Sequence, residues 1–549
     1  MNKFVTLIFF IFLPYIPFVS GQIETTVYWD SPRGQSTDKL LGMNIWKGLD
    51  PAVSGDEYYQ DGILYVSPHL IRLHAGETLW DSQQHGQGWI DTVEKKWDAE
   101  KINKVLASFD PGYNKNMLIN IVRWPAWMDA NNDEKLDVDR YDDYAAWCAG
   151  LVKIVNMEQN WNIPYWTPFN ECEDNVMNGP SELALIYNKC AVAMKNADPA
   201  IKVGGGEFKH GWNNDLLDTF INDTKDNLDF FTYHHYITGD ENAPVADIFN
   251  GASSMAGLGS SIRSKLDGYG LENIPLWISE YNVFWSWEFD RQRGFQRGSK
   301  GTVFNALVLK YLAERGKVDG CTLWNDCDFN YGVMDEDFEF RPNAYLLRLK
   351  NLYLVGTPVK TSSLNMELLN VFAVQANGHR AVLLINLSDM PQTANLNFRG
   401  WQPDDITYDL HSITDQMYDS TRVYTDNDFG QNIYIDAYSL LLLNFKTQTG
   451  IMTKKAKEEL PEFFELSPPF PNPFNQTTIV QFSVDESQPV RVLLYNARGQ
   501  LIQEIYQGWA EGKLKYTASI DGSELASGQY QLYLLGVDYS TSRSLTLIK

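Results

Sequence analysis

The sequence predicts a (β/α)8 TIM barrel with an accompanying β-sandwich and a small all-β unit at its C-terminal end. Three observations predict this. Between Leu41 and Gly356, short apolar strands alternate with helical stretches, the pattern of a parallel α/β sheet. After Gly356 the helical stretches stop, and strands divided by turn residues take over. A charged stretch and a proline-rich step then lead into a second run of strands.

The chain has 549 residues, too many for one core, because single cores stop growing near ~250–300 residues. Eight strands are expected in the first region: Leu41–Ile45, His69–His74, Met117–Arg123, Tyr165–Asn170, Lys202–Glu207, Phe230–Tyr236, Pro275–Glu280 and Gly320–Asn325. Helical patterns fall between most of them, as in Tyr141–Asn156, Ser181–Asn196 and Gly301–Arg315. Eight such units fit a closed barrel. The alternative is a doubly wound sheet, which usually carries a glycine-rich phosphate turn after its first strand. Gly204–Gly206 is the one glycine run nearby, and it lacks the GxGxxG spacing.

The region from Leu364 to Lys446 reads as strands Leu368–Gln375, Arg380–Leu387, Ala394–Phe398, Ile406–Leu410 and Ile433–Phe445. An antiparallel sandwich fits this alternation, and Glu24–Trp29 can add a strand to it. The expected organisation is a barrel over 22–363, a sandwich over 364–446, a linker over 447–463 and a terminal unit over 464–549. The long segments Asp240–Leu266 and Trp285–Lys300 are expected as loops that close a pocket or flank a cleft.

The first 21 residues read as a signal peptide. Lys3 supplies the positive end, Phe4–Phe18 is an apolar run broken by Pro14 and Pro17, and Val19, Ser20 and Gly21 precede the expected cut. No later stretch is apolar for long enough to span a bilayer. The formal net charge of −25 argues against nucleic acid, which selects a basic face. Five cysteines leave at least one unpaired; Cys321 and Cys327 could pair, and no spacing resembles a zinc site. Asp129, Asn131, Asp133 and Asp137 alternate as in a calcium loop, but Glu134 stands where the sharp turn needs glycine. A polar loop capping the next helix is the preferred reading there.

Candidate chemistry gathers at strand ends, where barrel enzymes carry their catalytic groups. The fourth strand ends in Asn170-Glu171 and the seventh in Ser279-Glu280. Two carboxyl groups facing each other across a barrel mouth suit glycoside hydrolysis, in which one holds a proton and the other attacks or directs water. The 17 tryptophans agree, because indole faces stack on sugar rings. Trp124, Trp127, Trp285 and Trp287 can each serve as such a platform or simply pack. His234 and His235 alternate on one strand, so one of them faces the barrel interior.

This pairing resembles the clan A superfamily of retaining glycoside hydrolases. The resemblance covers the barrel and implies that Glu171 is the acid/base and Glu280 the nucleophile. It implies that Asn170 bonds the sugar 2-hydroxyl. The stretch His69–Gly76, HLIRLHAG, is similar to the Arg-x-His strand of glycoside hydrolase family 39, which implies that Arg72 holds the nucleophile and His74 lines the sugar subsite. Phe230–Tyr236, FFTYHHY, resembles the clan's His-x-Tyr, with Tyr236 on Glu280 and His234 shaping the subsite. Trp324 stands where the clan places a stacking platform. Families 39, 51, 30 and 79 share this layout. Many relatives have proline after the Asn-Glu pair, whereas Cys172 follows here. No cofactor and no metal are expected.

The C-terminal unit combines FPNPFN at Phe470–Asn475, LYNARGQLI at Leu494–Ile502 and LASGQYQLYLL at Leu525–Leu535. It resembles the sorting domain of the type IX (Por) secretion system. That resemblance implies export through the periplasm and outer membrane to the cell surface or medium, with the secretion machinery as a partner. The expected activity is hydrolysis of O-glycosidic bonds in a poly- or oligosaccharide with retention of configuration. The alternative is a non-catalytic surface protein that binds polysaccharide in the same groove.

Overall fold

The computed structural model describes residues 22–74, 89–176, 178–209, 211–286, 290–376, 378–401, 407–414, 418–425, 432–446 and 464–549, except 486–487, 497–500, 511, 524 and 537–539. The expected signal peptide and linker lie outside these residues. The chain divides into two compact units, the first through Thr449 and the second from Gly450.

In the first unit the barrel strands are β1 (Gly42–Ile45), β2 (Ile71–His74), β3 (Met117–Asn120), β4 (Tyr165–Thr167), β5 (Lys202–Val203 and Gly205–Phe208), β6 (Phe231–Thr238), β7 (Leu276–Phe284) and β8 (Gly320–Leu323). Their pairing runs in sequence order, with β8 beside β1 and the two segments of β5 beside β4 and β6. Both ends of the sheet thus meet in β5, and the barrel closes. All pairs are parallel. Leu70, Leu118, Tyr165, Phe230 and Trp277 form a buried cluster at the starts of their strands. They fill the barrel floor, as side-chain layers do in this fold, and leave the polar positions above them.

Two irregularities break the alternation of side chains. Between β5 and β6, Gly206 pairs with Thr232 and Phe208 with Tyr233, so Glu207 is an extra residue. Between β6 and β7, Tyr233 pairs with Ile278 and His234 with Glu280, so Ser279 is extra. Regular alternation would turn one of two successive residues outward. The slips instead let Glu207 and the Ser279–Glu280 pair reach one another inside the barrel. Bulges of this kind re-aim side chains beside functional sites.

The segment expected as a loop at Asp240–Leu266 is mostly helix, Val245–Gly268. Its glycines and serines are weak helix formers, which hides it in the sequence. Packing supplies the reason for two of them. A Cβ at Gly251 would lie 2.5 Å from the Ile237 side chain, and one at Gly259 would lie 2.8 Å from the Gly316 carbonyl. The Trp285–Lys300 segment likewise contains a helix, Asp290–Arg297. All five cysteines are unpaired and buried. Cys321 sits in β8 and accepts a hydrogen bond from the Leu41 amide, whereas Cys327 lies beyond the strand end, and the two do not form the pair that the sequence allowed. In the Asp129–Asp137 loop the carboxylates accept from the loop's own amides.

The accompanying sheet has nine strands in the order Tyr418–Thr425, Thr407–Ile413, Leu440–Lys446, His379–Asn386, Leu369–Ala376, Thr357–Ser363, Ile23–Pro32, Gln392–Arg399 and Ile433–Ile435. It recruits the N-terminal strand as expected, through a parallel pairing with Gln392–Arg399. Thr357–Ser363, read from sequence as the end of the barrel, belongs to this sheet. Val371, Ala373, Leu441 and Leu443 face the sandwich core, while Phe372, Val374, Leu440 and Leu442 face the barrel's core. The period of two thus serves both layers.

The second unit is all β, with a three-stranded and a four-stranded sheet. Phe464, Val480, Phe482, Val492, Leu494, Leu532, Leu534 and Leu545 form its core.

Candidate active site

Six residues singled out in the sequence meet at the carboxyl ends of the barrel strands. Arg72, from β2, is wholly buried. Its Nη1 donates to Asn44 Oδ1 at 2.7 Å and to Glu280 Oε2 at 3.3 Å. Its Nη2 donates to Asn170 Oδ1 at 2.5 Å and to Glu207 Oε2 at 3.2 Å. Tyr236, from β6, donates its hydroxyl to Glu280 Oε1 at 2.6 Å. Glu280 thus receives a charged and a neutral donor, one on each oxygen.

His234 joins the other carboxylates. Its Nδ1 lies 2.7 Å from Glu171 Oε1 and its Nε2 lies 2.9 Å from Glu207 Oε2. The Glu171 side chain is 33% exposed, against 10% for Glu280 and 1% for His234. Glu171 is therefore the carboxyl group open to solvent, and Glu280 is the sheltered one. Facing ligand atoms of Glu171, His234 and Glu280 all lie within 4.8 Å of one another. Three such atoms can surround a metal, but a metal needs the Nδ1 lone pair free. Here the neighbouring carboxylates hold a proton on the imidazole.

Glu171 and Glu207 are both strained. Their φ angles are +49° and +44°, a region costly for residues with a Cβ, on the order of 1–3 kcal/mol each. The Glu171 amide donates to the Glu207 carbonyl at 2.9 Å, so the two strained strand ends brace each other.

Charge in the cluster follows from these contacts. Burial raises the Glu207 carboxyl, but Arg72, His234 and Ser279 outweigh it and bring it down to about 2. Burial lowers His234, but Glu280, Glu171 and Glu207 outweigh it and lift the imidazole to about 10. Burial raises Glu280 against the pull of His234 and Arg72. Burial also raises Glu171, and the hydrogen bond and charge of His234 more than reverse it. These last two directions hold with His234 charged. Carboxyls this close titrate as a pair, since a charge on either opposes a charge on the other. His74 is driven down by burial and by the Arg72 and His234 cations, so it is neutral.

The aromatic positions divide. Trp324 follows β8, and His74 meets it edge-on with centroids 4.8 Å apart. Trp285 follows β7 and is 59% exposed; its ring lies over Gly239 beyond β6, where a Cβ would come within 2.1 Å of the indole. Trp127 packs edge-on against Trp147 of the helix Tyr141–Val152, and its ring also meets the Lys95 ammonium. Those contacts belong to the helical layer. Trp287 lies outside the described residues. His235 faces away from the cluster, and burial brings it down to about 4. Asn44 and Ser279 escaped the sequence reading because neither carries a charge. Glu207 is visible in the sequence as an acid at the end of the fifth expected strand, a weaker candidate for a substrate contact. It is wholly buried and lies beneath His234.

Residues 149–344 match the family model for glycosyl hydrolases family 39. That match runs from the helix before β4 to beyond β8 of the barrel. The matched stretch includes Asn170, Glu171, Glu207, His234, Tyr236, Glu280 and Trp324, and the class of enzyme that goes with it is a glycosidase of O-glycosyl compounds. Residues 469–548 match the secretion system C-terminal sorting domain, which marks type IX export to the cell surface or beyond. No helix among the described residues is long and apolar enough to cross a membrane. No curated protein matches the chain in sequence.

Solved structures share the fold of the barrel and its sandwich. One is a glycoside hydrolase family 39 enzyme from Xanthomonas axonopodis pv. citri, with TM-score 0.56 and 13% identity over 79% of this chain and 99% of that one. Another is a bifunctional glucanase-xylanase from a metagenome library, with TM-score 0.56 and 13% identity over 78% and 99%. A third is an α-L-arabinofuranosidase from Thermotoga maritima, with TM-score 0.54 and 13% identity over 78% and 100%.

Arg72 gives the barrel a clear stability test. Replacing it with methionine, similar in length, takes the guanidinium from Glu207 and Glu280, which keep His234 as their remaining cation. Removing one partner of a buried charge cluster costs about 3–5 kcal/mol. Arg72→Met is expected to lower the denaturation midpoint accordingly, and an unchanged midpoint in thermal or urea unfolding would contradict the ion-pair role.

Proposed function

We propose that this protein is a secreted retaining glycosidase that cleaves a poly- or oligosaccharide by double displacement, with Glu171 as acid/base and Glu280 as nucleophile. The observation that carries this reading is the approach of the two carboxyl groups, whose facing oxygens lie within 4.8 Å. Retaining enzymes need carboxyls about 5–5.5 Å apart, whereas inverting ones leave roughly 6.5–9.5 Å for a water.

The surroundings support the roles. The hydrogen bonds from Arg72 and Tyr236 hold Glu280 still and pull against the burial that raises its carboxyl. Glu280 attacks the anomeric carbon while Glu171 gives its proton to the leaving oxygen. The glycosyl–Glu280 ester is then opened by a water that Glu171 deprotonates. Arg72 occupies the Asn170 carbonyl, which orients the amide and leaves its NH2 for the sugar 2-hydroxyl. Release of the substrate's own anomer, followed by proton NMR during the first minutes of hydrolysis, tests retention directly. First appearance of the opposite anomer would refute it.

The fold neighbours are named for glucanase, xylanase and arabinofuranosidase activity, so glucans, xylan and arabinan head the substrate panel. We assign Trp285 as a sugar platform beside the bond to be cut. An exposed indole lying over a glycine offers one face to a pyranose ring. Trp285→Ala is expected to raise KM about tenfold on the best polymer, the scale of one lost stacking contact of roughly 1–1.5 kcal/mol. Its thermal midpoint should stay at the wild-type value, because the side chain is mostly exposed. An unchanged KM would remove Trp285 from the subsite.

A further inference from the structure

The cluster contains a carboxylate that the double displacement does not use. Glu207 ends β5 with a side chain that is 0% exposed, so no sugar can reach it. Its Oε2 takes three donors, Arg72 Nη2, His234 Nε2 and Ser279 Oγ. Its Oε1 has no hydrogen-bond partner among the described residues. A buried carboxyl group with one bare oxygen costs stability, and it sits on a residue strained at φ +44°. Such a group needs a reason to be there.

The hydrogen-bond arithmetic supplies one. Opposite an ionised carboxylate, His234 Nε2 must carry a proton. The other ring nitrogen then faces Glu171 Oε1 at 2.7 Å, a contact that also needs a proton between its atoms. Either the imidazolium donates to a Glu171 carboxylate, or a Glu171 carboxylic acid donates to a neutral imidazole. The two arrangements hold the same number of protons.

Building on the double-displacement reading above, we infer that Glu207 is a positioning residue that acts through His234, making His234 and Glu171 a pair that keeps one shared proton. In the first step that proton leaves with the sugar oxygen as the bond to the anomeric carbon breaks and the bond to Glu280 forms. In the second step water loses a proton to the same pair as its oxygen bonds the anomeric carbon and Glu280 departs. The pair is restored without any proton from bulk solvent.

The groups facing His234 are Glu171 beyond β4, Glu207 from β5, Glu280 from β7 and His74 from β2, with Arg72 and Tyr236 held on those carboxylates. Three carboxylates oppose the Arg72 cation, and removing one lets the shared proton leave at lower pH. The imidazole is held at about 10 with Glu207 in place.

The test uses the mature protein with wild-type residue, Glu207→Gln and Glu207→Asp. Two readouts are taken, the His234 ring-proton titration by NMR, assigned through His234→Gln, and the pH profile of kcat/KM. In Glu207→Gln, which keeps the shape and loses the charge, His234 should titrate at least about one pH unit lower, and the basic limb of the profile should move with it. Glu207→Asp, which keeps the charge, should retain the wild-type limb even where kcat falls. A Glu207→Gln protein whose His234 titration and basic limb match the wild type overturns the proposal, whatever its activity. Should that variant fail to fold, the wild-type titration decides, since His234 titrating at or below the ordinary 6.5 is equally fatal. The NMR readout needs no turnover, so it judges Glu207 separately from any failure of the Glu171 and Glu280 roles.

Discussion

Replacing Glu280 with alanine should abolish hydrolysis of every substrate the wild type cleaves, by about four orders of magnitude or more, as the loss of a nucleophile does. The fold should survive. Alanine removes one carboxylate from a cluster in which Arg72 still has Glu207, so no buried cation is left bare. The space vacated by the side chain lies beside the anomeric carbon in the proposed mode of binding. Azide can enter there and attack from the face that Glu280 used. One displacement then replaces two, and the glycosyl azide formed has the configuration opposite to the substrate's. Activity on an aryl glycoside restored by azide, with an inverted product, would establish Glu280 as the nucleophile. Wild-type activity in Glu280→Ala would mean that the carboxyl group does not bond to sugar. Polysaccharide bound equally by both proteins without turnover would favour the binding-protein reading.

Glu171→Ala should behave differently, and the difference separates the two carboxyl groups. A general acid contributes roughly 10²–10⁴-fold, most where the leaving oxygen is a poor leaving group. Polysaccharides should therefore lose that full factor. Aryl glycosides with acidic phenols leave without a proton, so their first step should be nearly unimpaired. Release of the sugar from Glu280 still needs a base, so a burst of phenol followed by slow turnover is expected. Azide should speed this turnover and give a product of retained configuration, because it attacks a glycosyl-enzyme already inverted once. The basic limb of the pH profile should also vanish, since it reports the proton shared between Glu171 and His234. An equal loss on activated and unactivated substrates would assign Glu171 a structural part instead.

Much of the arrangement was legible because chemistry and periodicity coincide. In the sequence Glu171 and Glu280 each close an apolar run, and a barrel sends strand ends to one face. Arg72, His234 and Tyr236 stand at alternate positions of their strands, so the same periodicity placed them inside. The helix Val245–Gly268 was not legible, because its glycines serve packing against Ile237 and Gly316 and mimic a loop in composition. Trp127 and Trp285 look alike in the sequence. Which of them turns toward the helical layer and which lies over a glycine at the mouth depends on their neighbours.

By itself the sequence determined the barrel, the sheet beside it, the sorting unit and the two strand ends that bear glutamate. These depend on periodicity, strand order and motifs, which are local. Only the tertiary structure decided that Glu207 points inward beneath His234 and that Ser279 and Glu280 both face the interior. Those placements arise from one-residue slips in pairing between β5, β6 and β7. A slip is set by how neighbouring strands pack, so no single stretch of residues announces it.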